Sequence, residues 1–149
     1  LAVMAEYFSG SLNRSRLRLL AARVKAARTV QDGADFIETF AFIRNLRGIT
    51  PKSAFYITMR VHRSGGFVKD MIYLRGLQEI LTYFANGGDL ELLLTGKIAL
   101  KHVNLLKELR YRRILKPPVL LPSYMHNESF QDNLAQFAEQ KNITELTRI

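Results

Sequence analysis

Apolar residues recur along this chain three and four positions apart, the spacing that lines one face of an α-helix. No pair of alternating apolar and polar runs is joined by a hairpin turn. Leu1, Val3, Met4, Tyr7 and Phe8 make a first stripe with no capping residue ahead of it, so the chain is expected to enter mid-helix, with more protein upstream. A second helix is predicted from about Asn13 to Arg28, turning Leu17, Leu20, Val24 and Ala27 inward and Arg14, Arg18, Lys25 and Arg28 outward. A third follows Asp32 and Gly33, with Phe36, Ile37, Phe40, Ile43 and Leu46 inward, and stops at Gly48.

Thr50-Pro51 opens a fourth helix, because a hydroxyl can cap the free amides while proline at the first helical position needs no amide of its own. That helix is predicted to reach about His62, where Ser64-Gly65-Gly66 breaks it. A fifth, from about Asp70 to Phe84, carries Met71, Ile72, Leu77, Ile80, Leu81 and Phe84 on its buried side. Asn86-Gly87-Gly88 ends it and Asp89 caps a short helix from Leu90 to Leu94, followed by another from about Leu100 to Arg112. Lys116-Pro117-Pro118 and Pro122 must be non-helical, and a last amphipathic stretch spans Glu128 to Gln140 with Phe130, Leu134 and Phe137.

This pattern predicts an all-α fold, an orthogonal multi-helix array of about seven to eight helices. The prolines divide it into a helical body, residues 1–116, and a connection with a helical tail, residues 117–149. With 149 residues, 48% of them hydrophobic and 23% charged, the chain has the composition of a globular domain, one that buries roughly 70% of its unfolded surface. It has no cysteine, which excludes disulfides, thiolate metal sites and a cysteine nucleophile. Neither a membrane span nor a signal peptide is present, so a cytoplasmic protein with no membrane partner is expected. The net charge of +9 attracts polyanions, although a piece of a larger protein can also be basic because its acidic counterpart lies elsewhere.

Candidate chemistry is sparse. His62, His102 and His126 lie far apart, and none pairs with another at the helical spacing that presents two ligands to one metal, so each reads as a surface or core histidine. There is no nucleophile elbow, phosphate loop or dinucleotide fingerprint. The densest polar segment runs from Arg60 to Gly76. Arg60 and Arg63 are three apart at the end of one helix, and Lys69 and Tyr73 four apart at the start of the next, so each pair shares a face. The two glycines between them would let backbones approach, and the free amides of the following helix would favour a carboxylate or phosphate. Spacing alone modestly favours the plainer reading, a tight connection with a solvated cationic rim. Lys107, Arg110, Arg112, Arg113 and Lys116 likewise read as a solvated helix end complementing the dipole.

The segment Arg60–Gly76, with Leu1-Ala2-Val3, Asp32-Gly33-Ala34-Asp35-Phe36, Ala54-Phe55 and Gly96-Lys97, resembles the family that unites bacterial QEGLA-motif proteins with animal microtubule-associated tyrosine carboxypeptidases. The resemblance runs from Leu1 to about Tyr124, and Lys69-Asp70, Tyr73-Leu74 and Gly76 recur in that family in the same order. It implies a zinc peptidase in which an HExxxH helix supplies two histidine ligands and a general-base glutamate. The third ligand is the glutamate of a QEG directly before a Leu-Ala pair. Leu1 and Ala2 resemble that pair, so the ligands are expected in a missing N-terminal half of the same protein. This chain is then a fragment of a larger zinc-peptidase-like fold, with zinc in the intact parent and none here.

What the resemblance leaves to this chain is substrate handling. A carboxypeptidase must recognise a protein or peptide C-terminus, which suits Arg60, Arg63 and Lys69 as carboxylate binders. Tyr73 is the candidate catalytic residue, a phenol that donates to the oxyanion. Many bacterial relatives have Tyr, Gly and Thr where this chain has His62, Ser64 and Val68, and the family does not fix position 75 as basic, so no role passes to those positions or to Arg75. The expected function is the C-terminal, substrate-side portion of a zinc-dependent carboxypeptidase, inactive alone. The rival is a basic helical binding module for nucleic acid or an acidic protein; nucleic acid is the lesser expectation because no recognition-helix signature accompanies the charge.

Overall fold

The computed structural model describes residues 1–66 and 69–147. Among them are eight α-helices, three short 3-10 segments and no strand, so the fold is all-α. Phe67 and Val68 in the densest polar segment, and the Met71 side chain expected on a buried face, lie outside what is described. The chain divides into two compact units, Leu12–Arg75 and Leu1–Ser11 with Gly76–Ile149.

The unit Leu12–Arg75 is built on α2 (Arg14–Gln31), α3 (Phe36–Arg44) and α4 (Pro51–Arg63), each packed on the other two. Every one starts on a side-chain cap. Asn13 accepts from the Arg16 amide at 2.9 Å, Asp35 and Glu38 exchange bonds in a capping box, and Thr50 accepts from the Ser53 amide ahead of Pro51. The core joins Ala22, Ala26 and Ala27 of α2 to Ile43 and Ile49 and to Ala54, Ile57 and Val61 of α4. Small side chains on both α2 and α4 bring the two backbones close, so van der Waals contact takes the place of bulk. The buried hydroxyls Thr39 and Thr58 are satisfied locally, donating to the Asp35 and Ala54 carbonyls at 2.7 and 2.9 Å.

The inward face of α3 differs from expectation. Ile37 is 75% exposed and Phe36 36%, whereas Thr39 and Ile43 are buried. The Thr39 hydroxyl is satisfied by the Asp35 carbonyl of its own helix, so the buried positions are 39 and 43, with Phe40 and Leu46 partly buried beside them. In α2, Leu20, Ala22, Ala26 and Ala27 are buried, while Leu17 and Val24 are half-buried.

The other unit contains α1 (Ala2–Phe8), α6 (Leu90–Leu94), α7 (Val103–Tyr111), α8 (Phe130–Glu139) and the part of α5 (Asp70–Ala85) from Gly76 onward. Leu77, Ile80, Leu81 and Phe84 of α5 are buried as predicted, but Ile72, in its first turn, is 62% exposed. Phe8 and Phe137 form the centre. Phe8 meets Tyr124, Phe130 and Phe137 at ring separations of 5.3 to 5.5 Å, and Phe137 also reaches Tyr7 at 5.1 Å and Phe84 at 5.9 Å. These offset and tilted geometries are the ones the ring quadrupoles favour.

A second lock lies between α5 and α6. The Tyr83 hydroxyl accepts from the Asp89 amide at 2.8 Å and donates to the Asp89 carbonyl at 2.9 Å, while the Asp89 carboxylate caps α6 and pairs with Arg110 of α7. The pinned ring lies flat on Gly88, where a Cβ would sit 2.3 Å from it. Gly88→Ala must therefore displace a ring held at both ends, and should cost about 1 to 3 kcal/mol in urea unfolding.

Burial raises the Tyr7, Tyr83 and Tyr124 phenols above their ordinary value of about 10; at Tyr83 the Asp89 charge adds to this, opposed by the backbone bond to Asp89 and by Arg110. As pH climbs through 10 the unfolded phenols lose protons while the folded ones keep theirs, so the unfolded state binds fewer protons. Stability from this source is complete below that pH and is lost as pH rises through the folded values. The unfolding midpoint should fall as pH passes 10, and a midpoint that stays level there would contradict this.

Candidate functional site

The elbow after α4 is first of all a helix terminator. The Gly65 amide donates to the His62 carbonyl at 3.1 Å and the Gly66 amide to the Val61 carbonyl at 3.0 Å, the paired closure of a Schellman motif. Both glycines take positive φ, +58° and +81°, and a Cβ on Gly66 would lie 3.1 Å from the Gln31 side chain. Their amides are thus occupied by α4 and are not available to an anion. Close approach of backbone does occur, with Gln31 Nε2 of α2 donating to the Gly66 carbonyl at 3.3 Å. Such an elbow fixes where α4 ends and so where its last turn of side chains points.

That turn opens on a cleft. A space of about 420 Å³ in the Leu12–Arg75 unit is lined by Arg23, Tyr56, Ile57, Met59, Arg60 and Arg63. Tyr56, Arg60 and Arg63 stand at i, i+4 and i+7 on one face of α4, and Arg23 comes across from α2. Ile57, only 4% exposed, and Met59 supply apolar wall. Guanidinium groups keep their charge at every accessible pH and present paired donors that match a carboxylate or phosphate in its plane. The arrangement can therefore hold an anion against an apolar floor, with the half-exposed Tyr56 phenol as a further donor.

Of the residues singled out from the sequence, Arg60 and Arg63 meet in this cleft. Lys69 is exposed in the turn before α5, and Tyr73 is 37% exposed in the first turns of α5; neither is among the cleft's described lining residues. Arg23 and Tyr56 were not anticipated. Tyr56 carries a readable signal, four residues before Arg60, while Arg23 shows only as a cation set among alanines on an otherwise inward stretch of α2.

His62 has a structural setting. Its Nε2 lies 3.2 Å from Thr39 Oγ1, and its ring packs 5.4 Å from Phe36. Because the Thr39 hydroxyl gives its proton to Asp35, its oxygen is left to accept, which assigns the ring proton to Nε2. His102 and His126 are exposed. Among the described residues no group of three histidine, aspartate or glutamate side chains could hold a metal ion.

An arginine-walled cleft on a three-helix scaffold makes this an all-α protein with a candidate anion site. The chain belongs to the microtubule-associated tyrosine carboxypeptidase (MATCAP) family, whose model matches residues 1–142. Comparison with the curated proteins and with the solved structures gave no match.

Proposed function

We propose that this chain is the substrate-side portion of a zinc-dependent carboxypeptidase, in which the Arg23, Arg60 and Arg63 cleft receives the free carboxylate at the end of a polypeptide. The observation that carries this is the convergence of two guanidinium groups of one α4 face with a third from α2 on a single cleft with an apolar floor. Family membership supplies the reaction class. An exopeptidase must distinguish a terminal carboxylate from an internal amide, and charge-assisted paired bonds do so because a carboxylate offers a guanidinium a negative charge and two acceptor oxygens where an amide offers neither.

The lack of a ligand cluster supports a second part of the proposal, that the metal-binding residues belong to another segment of the protein and that this chain alone is inactive. Tyr73 is proposed separately as the donor to the oxyanion, and Lys69 as an outlying cation for the substrate chain; both stand on their chemistry and on the family resemblance.

A peptide ending in free tyrosine should bind this chain and its amidated counterpart should not, as read by calorimetry. Arg60→Ala and Arg63→Ala should each weaken binding roughly 10- to 100-fold, the worth of a charge-assisted bond, without shifting the unfolding midpoint. Equal binding of the two peptides removes the carboxylate reading. Duplex DNA binding at physiological salt that collapses with added salt would instead favour a basic binding module.

After dialysis the chain should hold no stoichiometric zinc by atomic absorption. In a form that includes the metal-binding segment, Tyr73→Phe should lower kcat with little change in KM, and an unaltered kcat would remove the oxyanion role.

A further inference from the structure

A different surface, in the unit that contains α7, combines exposed apolar side chains with unpaired cations. Between residues 101 and 121 the chain carries Lys101, Lys107, Arg110, Arg112, Arg113 and Lys116 against a single acid, Glu108. Arg110 is paired with Asp89 and Arg112 with Glu108, whereas Lys107, Arg113 and Lys116 have no ion-pair partner among the described residues. Interleaved with them are Tyr111 at 85% exposure and Ile114 at 64%, and just beyond stand Val119 at 97% and Leu120 at 86%.

The tip is presented by a braced loop. On one side Leu115, Pro117 and Pro118 border a small hollow with Leu92 of α6 and Thr95 just past its end. On the other, Tyr124 stacks on Phe8 at 5.5 Å. Prolines at 117, 118 and 122 remove three amide donors from the loop, which lowers the cost of bringing its backbone near an apolar phase. Side chains this exposed on all sides suit a continuous apolar phase better than a one-sided protein groove. Nucleic acid offers the cations a partner but offers Val119 and Leu120 none.

We propose that this segment is a peripheral docking element for the surface of an anionic lipid bilayer. Val119 and Leu120 enter the headgroup boundary, while Lys107, Arg113 and Lys116 meet lipid phosphates and carboxylates. No described helix is long and apolar enough to cross a membrane, and a contact of this kind needs none. The surface is independent of the arginine cleft and of the function proposed for it.

The test is sedimentation of the full chain with vesicles of phosphatidylcholine alone and with vesicles of phosphatidylcholine and phosphatidylserine in equal parts. The mixed vesicles should carry the protein down and the neutral ones should not. Val119→Ser with Leu120→Ser should weaken partitioning at least about tenfold at an unchanged melting temperature, since both side chains are exposed. Arg113→Glu with Lys116→Glu should do the same. Failure to bind mixed vesicles overturns the proposal, and so does binding that the Val119 and Leu120 substitutions leave intact. Saturable binding to an acidic protein that those substitutions abolish, with vesicles ignored, overturns it in favour of a protein partner.

Discussion

The close approach of α2 and α4 is the constraint on which the cleft depends. Ala22, Ala26 and Ala27 face Ala54 across that contact, and none is more than 1% exposed. A larger residue at any of these positions would push the helices apart, because a close-packed core has no slack to take up the added volume. The same contact decides which charges meet. Arg23 follows Ala22 directly, and Arg60 lies on α4 next to the buried Val61, so the alanine seam sets how near the α2 guanidinium comes to those of α4. The packing of apolar residues beneath fixes the helix faces on which these arginines stand.

The second unit solves its packing problem by bulk where the first relies on small residues. Phe8, Phe84, Phe130 and Phe137 with Tyr7 and Tyr124 draw α1, α5 and α8 and the 3-10 segment Ser123–His126 into one cluster. Aromatic rings bury large areas with few rotatable bonds, so a cluster of them can hold elements distant in sequence at modest entropic cost. That is how the opening helix comes to pack among residues more than a hundred positions later. It also explains why the proline-rich stretch stays braced with its apolar tip uncovered: Tyr124 anchors the far end, and Val119 and Leu120 fall between the two anchors.

Much of the helix inventory was legible because capping is local chemistry. Asn13, Thr50-Pro51 and Asp89 each act within a few residues, so their effect can be read without knowing the fold. The Asp35 and Glu38 box is equally local but escapes a reading that starts α3 after Asp32 and Gly33. The face a short helix buries is a tertiary property and was read less well. In α3 the apolar Phe36 and Ile37 suggested one stripe, but Thr39, its hydroxyl satisfied by the Asp35 carbonyl and by His62, took the buried place. The cleft was half legible for the same reason. Arg60 and Arg63 share a helix face that spacing predicts, whereas Arg23 reaches them only through the packing of α2 on α4. Family resemblance was carried by short glycine-bracketed motifs, and the match over residues 1–142 agrees with it.

The glycines of the elbow show how a motif can serve binding without touching a ligand. Read as a sequence, Gly65 and Gly66 suggest a close approach of backbones; in the fold their amides are bonded to the last carbonyls of α4. Their contribution is to stop the helix abruptly, with the left-handed turn that only glycine adopts without strain, and to let Gln31 of α2 bond the Gly66 carbonyl. A frayed end would leave Arg63 on a mobile last turn, and each binding event would then have to order backbone as well as side chain. A terminator tied to α2 has already ordered it, so an anion entering the cleft meets an α4 whose final turn costs little further entropy to fix. Recognition here is thus built from two separate parts, cations that supply the attraction and a glycine cap that holds their helix still.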